Sequence, residues 1–143
     1  MRGVQFTVAV TTAAELGDPT RLDNPRQLMN ARGLTPSESS RGARRRQGSR
    51  TKTGHTHARR ALVEGAWAYR YPAKVSRHLQ LRLEKLPTAI QAISWKAQVR
   101  LCKRYRQLMA KGKNANQVVV AIARELSAFM WAIAKQVVVP PKA

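Results

Sequence analysis

Between Thr35 and His57 the chain has no large apolar residue; Gly, Ser, Thr and Arg fill the stretch instead. A segment of that kind cannot bury a face, so the apolar periodicity on either side of it must do the folding. The stretch reads as a basic loop or arm over 35–57, attached to a helical core. From Arg41 to Arg60 it holds eight Lys or Arg residues and two His, and no carboxylate interrupts it between Glu38 and Glu64.

The flanks read as helices. Arg2-Gly3-Val4-Gln5 is a glycine turn, followed by a helix over Phe6 to Leu16 that Gly17 stops. Asn24-Pro25 is an N-cap with proline at the first helical position, opening a second helix that runs to about Asn30 and stops near Gly33. Helical spacing returns at Thr56, with Ala61, Leu62, Ala66 and Tyr69 on one face before Pro72. Lys74 to Lys85 places Val75, Leu79 and Leu83 at helical spacing before Pro87. Thr88 to Ala110 is amphipathic, with Ile90, Ile93, Ala97, Leu101, Tyr105 and Leu108 as its apolar stripe and Lys96, Arg100, Lys103, Arg104 and Arg106 elsewhere on its surface. After Lys111-Gly112-Lys113-Asn114, a helix over Ala115 to Val137 is apolar on most sides and is expected at the centre of the core. The expected fold is mainly α: a small multi-helix domain with a basic Gly/Arg-rich loop, divided as 1–34, the loop 35–57, a helical core 58–138 and a tail 139–143.

The charge narrows the partners. Among 143 residues, 27 Lys and Arg face 7 Asp and Glu, a formal net charge of +20. A chain this basic repels itself until a polyanion replaces its counterions. The most apolar helix carries Arg124 and Glu125 at its middle and no stretch of about 18 residues is apolar and uncharged, so no membrane span is expected. The start of the chain lacks the pattern of a secretory signal, and the single cysteine, Cys102, permits no internal disulfide, which suits a reducing cytoplasm.

Within the arm, Arg44-Arg45-Arg46 offers forked donors for phosphate oxygens, Gly42, Gly48 and Gly54 let backbone approach a polyanion, and Thr51 and Lys52 add further donors. A disordered basic tail is the plainer alternative. His55-Thr56-His57 lacks the further ligands that zinc requires, and a polar helix start describes it better. The carboxylates are too scattered for a two-metal nuclease centre. Ser37, Ser39 and Ser40 stand at the entry to the arginine run, where a hydroxyl could meet a phosphodiester, although ordinary turn serines after Pro36 account for them. Trp67 is expected in the core, and Tyr71, beside Arg70, is left open as a base-stacking surface.

The same residues carry a family resemblance. In order, Ala14-Glu15-Leu16-Gly17-Asp18, Asn24-Pro25-Arg26-Gln27-Leu28-Met29, Gly33-Leu34-Thr35-Pro36-Ser37-Glu38, Arg44-Arg45-Arg46-Gln47-Gly48, Thr51-Lys52-Thr53-Gly54, His57-Ala58-Arg59-Arg60-Ala61-Leu62-Val63-Glu64, Trp67-Ala68-Tyr69-Arg70 and Trp95-Lys96-Ala97-Gln98-Val99-Arg100-Leu101 resemble the C-terminal domain of transposases of the insertion sequence 110/116/902 family. The resemblance implies a partner DEDD nuclease domain, like a Holliday-junction resolvase, that carries Mg2+ and is absent from this chain. It also implies a guide RNA and a helix-hairpin-helix-like N-terminus whose glycines approach phosphates. Gly3 matches the first of those glycines and Gln5 replaces the second. The family's serine nucleophile is expected immediately before the glycine that precedes the arginine run. Arg41 stands there, and Ser40 lies one residue upstream. Ser49-Arg50 and His55 are further departures.

The resemblance therefore implies DNA and possibly guide RNA as partners, and a homo-oligomer or a full-length transposase as companion. The nucleic-acid contacts expected are Gly3, Arg41, Arg44, Arg45, Arg46, Thr51, Lys52, Gly54, His57, Arg59 and Arg60, with Ser40 as the candidate catalytic hydroxyl and no metal or cofactor held by this chain. The expected function is that of a truncated, DNA-binding transposase domain, nucleoid-associated and inactive in cleavage alone. A non-enzymatic RNA-binding accessory protein is the alternative.

Overall fold

The computed structural model describes residues 1–4, 9, 21–31, 34, 36–41, 44–50 and 56–137, with backbone alone for 36–50. Among them the fold is mainly α, with one two-stranded hairpin. Apart from Ala9, the helix expected over Phe6 to Leu16 lies outside the described residues, and with it half of the helix-hairpin-helix-like unit.

Helix α1 (Pro25–Ala31) starts as its sequence dictates. The Asn24 Oδ1 accepts the Gln27 N–H at 3.1 Å, while the Gln27 side chain accepts the Asp23 N–H at 2.9 Å. These reciprocal bonds satisfy donors that a helix start leaves orphaned. Leu28 is buried, and Leu34, also buried, donates its N–H to the Met29 carbonyl at 3.1 Å to close the helix end.

The next elements are strands β1 (Pro36–Arg41) and β2 (Arg44–Arg50), paired antiparallel. The segment expected as a loop is thus an extended ribbon over most of its length. Helix α2 (Thr56–Ala66) follows, then a 3-10 turn (Trp67–Arg70), helix α3 (Arg77–Leu83), helix α4 (Thr88–Ala110) and helix α5 (Ala115–Val137). Helix α3 is shorter than its apolar spacing suggests, because Ser76 caps it by accepting the Leu79 N–H at 3.3 Å.

Helix α5 packs against α1, α2 and α4. Its Val118, Val119, Ile122, Ala123 and Leu126 meet Leu62, Ala66, Leu101, Cys102 and Tyr105 in one buried cluster with Val4, Leu34 and Tyr69. By length and composition alone α5 is long and apolar enough over Ala115–Gln136 to cross a membrane, although, as expected, the stretch is not free of charge: Arg124 and Glu125 stand at its middle. On this helix Val118, Val119, Ile122, Ala123, Leu126 and Ser127 are buried by the rest of the fold, and its other apolar side chains, Phe129 to Ile133 among them, are only partly covered. Glu125, at its centre, accepts from the Arg100 Nε at 2.9 Å and pairs with the Arg104 Nε as well. At the opposite end, the Trp131 indole donates to the Leu22 carbonyl at 3.2 Å and ties the approach to α1 onto α5.

The N-terminal turn docks backbone to backbone. Gly3 has φ +74° and lies against Gly65 of α2, so closely that a Cβ on either would overlap the carbonyl oxygen of the other. The buried Tyr69 hydroxyl donates to the Arg2 carbonyl at 2.5 Å, and burial holds its phenol protonated far above the usual tyrosine range. Tyr69→Phe should therefore cost about 1 kcal/mol through the lost bond. Gly65→Ala should cost more, about 1–3 kcal/mol, by forcing the turn away. Thermal melts of the two variants followed by circular dichroism measure both, and a Gly65→Ala variant as stable as wild type would refute the docking.

Candidate nucleic-acid interface

The basic ribbon leaves the core at Leu34, which is 2% exposed, and the chain re-enters it at Ala58 on α2. Both ends of the arm are therefore fixed by burial, although no large apolar residue lies between them in sequence. Strand register pairs Glu38 with Gln47, Ser39 with Arg46, Ser40 with Arg45 and Arg41 with Arg44, with an irregularity between Pro36 and Glu38. Arginines placed directly opposite one another repel, and in this register only Arg41 and Arg44, at the tip, are so placed.

A strand sends alternate positions to opposite faces. Positions 39, 41, 44 and 46 therefore share one face of the ribbon, and 38, 40, 45 and 47 the other. The run Arg44-Arg45-Arg46, contiguous in sequence, is divided: three arginine positions, 41, 44 and 46, fall on one face, and Arg45 falls on the face of Ser40 and Glu38. That division is invisible to a reading that treats the run as a loop.

The start of α2 adds to this end of the molecule. His57 and Arg60 are exposed, and Arg60 pairs along the helix with Glu64 at 3.3 Å. Arg59 is 9% exposed and packs within the fold. Thr51, Lys52 and Gly54 lie outside the described residues. Gly3 sits at the far end of α2, beside Gly65, and nine residues of helix at ~1.5 Å each separate that point from Thr56 by about 14 Å. The arm and the N-terminal turn are thus distinct places on the molecule.

Around the turn the structure groups residues that sequence reading did not connect. The Arg2 guanidinium donates to the Pro72 carbonyl at 2.6 Å. The Arg70 guanidinium lies 4.7 Å from the centre of the Tyr71 ring and donates to its hydroxyl at 2.6 Å. Tyr71 is 52% exposed, and Trp67 packs against the core. Helix α4 bears five cations and no carboxylate, with Lys96, Lys103 and Arg106 exposed, while Arg100 and Arg104 are engaged by Glu125. The i, i+4 spacing of those two arginines was the signal for that clamp.

Among the described residues no three His, Cys, Asp or Glu side chains converge as metal ligands. Glu64 and Glu125 are each engaged by arginines. Cys102 is buried, which raises its thiol pKa and keeps it unreactive.

Residues 1–80, more than half of the chain, match the family described as Transposase IS116/IS110/IS902 family. Over 136 residues the chain is 47% identical to a Sinorhizobium fredii protein named transposase y4qE, covering 95% of this chain and 35% of that relative. Over 133 residues it is 26% identical to a Pseudomonas aeruginosa protein named as a family 20 transposase, covering 93% of this chain and 33% of the relative. The chain spans about a third of the length of these two relatives.

Because both members of the Arg60–Glu64 pair are largely solvated, Arg60→Ala should change stability by less than about 0.5 kcal/mol. A melt that fell by several degrees would instead place Arg60 among the structural residues.

Proposed function

The chain belongs to the IS116/IS110/IS902 family of transposases, and we propose that it is a C-terminal DNA-binding domain of such an enzyme, acting in DNA transposition by holding phosphates along its basic hairpin. The observation that carries this reading is the division of the ribbon. Three arginine positions fall on one face of a hairpin whose two ends are rooted in the core. Extended ribbons fit a DNA groove, and guanidinium forks match phosphate geometry. His57 and Arg60 extend the contact onto α2, while Thr51, Lys52 and Gly54 lie between the two in sequence. Arg59 packs within the fold.

Ser40 is the weak point for chemistry. The resemblance assigns the nucleophile to position 41, held here by Arg41. Ser40 is displaced along the strand by about 3.5 Å and falls on the opposite face. A hydroxyl there cannot attack a phosphodiester aligned for its neighbour without a register slip. The domain alone therefore binds without cutting. Strand exchange requires a full-length transposase copy that brings its own serine together with the carboxylates and Mg2+ of a nuclease domain. A guide RNA is a second polyanion open to the same ribbon, and the reading sets the protein in the cytoplasm, at the nucleoid.

The test is a salt titration of binding to a DNA junction. Each phosphate contact contributes about 0.9 to the slope of log affinity against log salt. Arg44→Ala with Arg46→Ala should flatten the slope by about 1.8, and Arg45→Ala by at most about 0.9. Equal slopes for wild type and the double variant would remove the hairpin from the interface. A loss confined to structured RNA would favour an RNA-binding accessory role.

A further inference from the structure

A cleft of about 700 Å³ lies between α3 and α4, on elements that the phosphate-binding reading does not use. Its walls are mostly aliphatic: Val75, Leu79, Leu83 and Leu86, with Trp95 across from them. Helix α3 buries none of its residues, and Val75, Leu86 and Trp95 are 39%, 40% and 47% exposed. Apolar side chains gathered this way, outside the core, mark a surface awaiting a partner.

The cleft is also held open in a fixed shape. The Gln91 side-chain amide donates to the Leu83 and Leu86 carbonyls at 2.7 and 2.9 Å, anchoring the end of α3 to α4. The Gln98 amide, 5% exposed, donates to the Lys74 carbonyl at 2.7 Å and anchors the other end. Polar clamps, not apolar burial, thus position α3. A groove built in advance spares a ligand the cost of ordering it.

Charge identifies the occupant. Among the described residues, Arg2, His78, Arg82 and Lys85 line the cleft with the apolar residues, and no carboxylate does. A second copy of this chain, itself at +20, would be repelled. Polynucleotide could stack on the Trp95 indole and the His78 imidazole but would leave the aliphatic wall unfilled. We propose that the α3–α4 cleft is a docking groove for an acidic amphipathic helix of a protein partner. Its apolar residues, at i, i+3, i+4 and i+7, would fill the groove, and its carboxylates would meet the Arg82 and Lys85 rim.

The probe is a fluorescein-labelled synthetic helix with leucines at those positions and glutamates on the other face. A scrambled peptide of identical composition and a labelled oligothymidylate serve as comparisons, all read by anisotropy with the full chain at about 0.15 M salt. The striped peptide should bind about tenfold more tightly than the scrambled one, and Trp95→Ser should abolish that preference. Lys85→Glu, at an exposed position, should weaken the striped peptide several-fold, and a circular dichroism melt confirms that each variant folds. The Arg44→Ala, Arg46→Ala variant should leave the preference intact, which separates this surface from the hairpin. Equal affinity for both peptides would show that net charge alone drives binding and overturn the groove. Loss of oligothymidylate binding in Trp95→Ser, with peptide binding unchanged, would overturn it in favour of bases.

Discussion

Glu125 is the sole carboxylate on α5, and α4 supplies two arginines, one turn apart, to meet it. Its side chain is 16% exposed, accepts a hydrogen bond from Arg100 and forms an ion pair with Arg104, whose own side chains are 60% and 38% exposed, so water screens the charges in part. Desolvation offsets much of that attraction, and the larger consequence is geometric: the pair fixes how far α5 slides along α4. With that register set, Leu101, Cys102 and Tyr105 meet Val118, Val119, Ile122 and Leu126, and α5 offers its remaining inner surface to α1 and α2. All the described elements that carry the arm rest on that surface.

The arm itself is the opposite case, since its sequence contributes charge and no burial. It can be held only from its ends, and the fold does this with Leu34 on one side and Ala58 and Leu62 on the other. The excess of positive charge that would spread such a ribbon is moderated by a register that sets serines and a glutamine opposite most of the facing residues. On the proposed function, the remaining repulsion is what phosphates would relieve, and bound DNA would then stabilise the ribbon.

The helices were legible in the sequence because their cues are local and periodic. Asn24 and Pro25 announced α1, the stripe from Ile90 to Leu108 announced α4, and the apolar run after Asn114 announced the central helix. The hairpin was not legible, because a strand declares itself by apolar alternation and this one has no apolar residues to alternate. Contacts between residues distant in sequence were equally hidden. Nothing local marks Gly65 as the partner of Gly3, and the i, i+4 spacing of Arg100 and Arg104 marks a paired basic face without naming Glu125 as what meets it. Within the candidate site, the sequence identified the basic residues but could not show that Arg44 and Arg46 part company with Arg45, or that Arg59 packs inward while Arg60 faces solvent. The apolar spacing of Val75, Leu79 and Leu83 was equally visible, yet spacing alone could not tell a face covered by the core from one left open.

Hydrogen-exchange mass spectrometry of the chain with and without a DNA junction tests the central claim most directly, because it reads the backbone of arm and core together. If the hairpin is the phosphate-holding element, junction DNA will slow exchange across 36–50 and the start of α2, while α5, already protected by the core, will change little. Protection confined to α3 and α4, with the hairpin exchanging as fast as in the free chain, would contradict it.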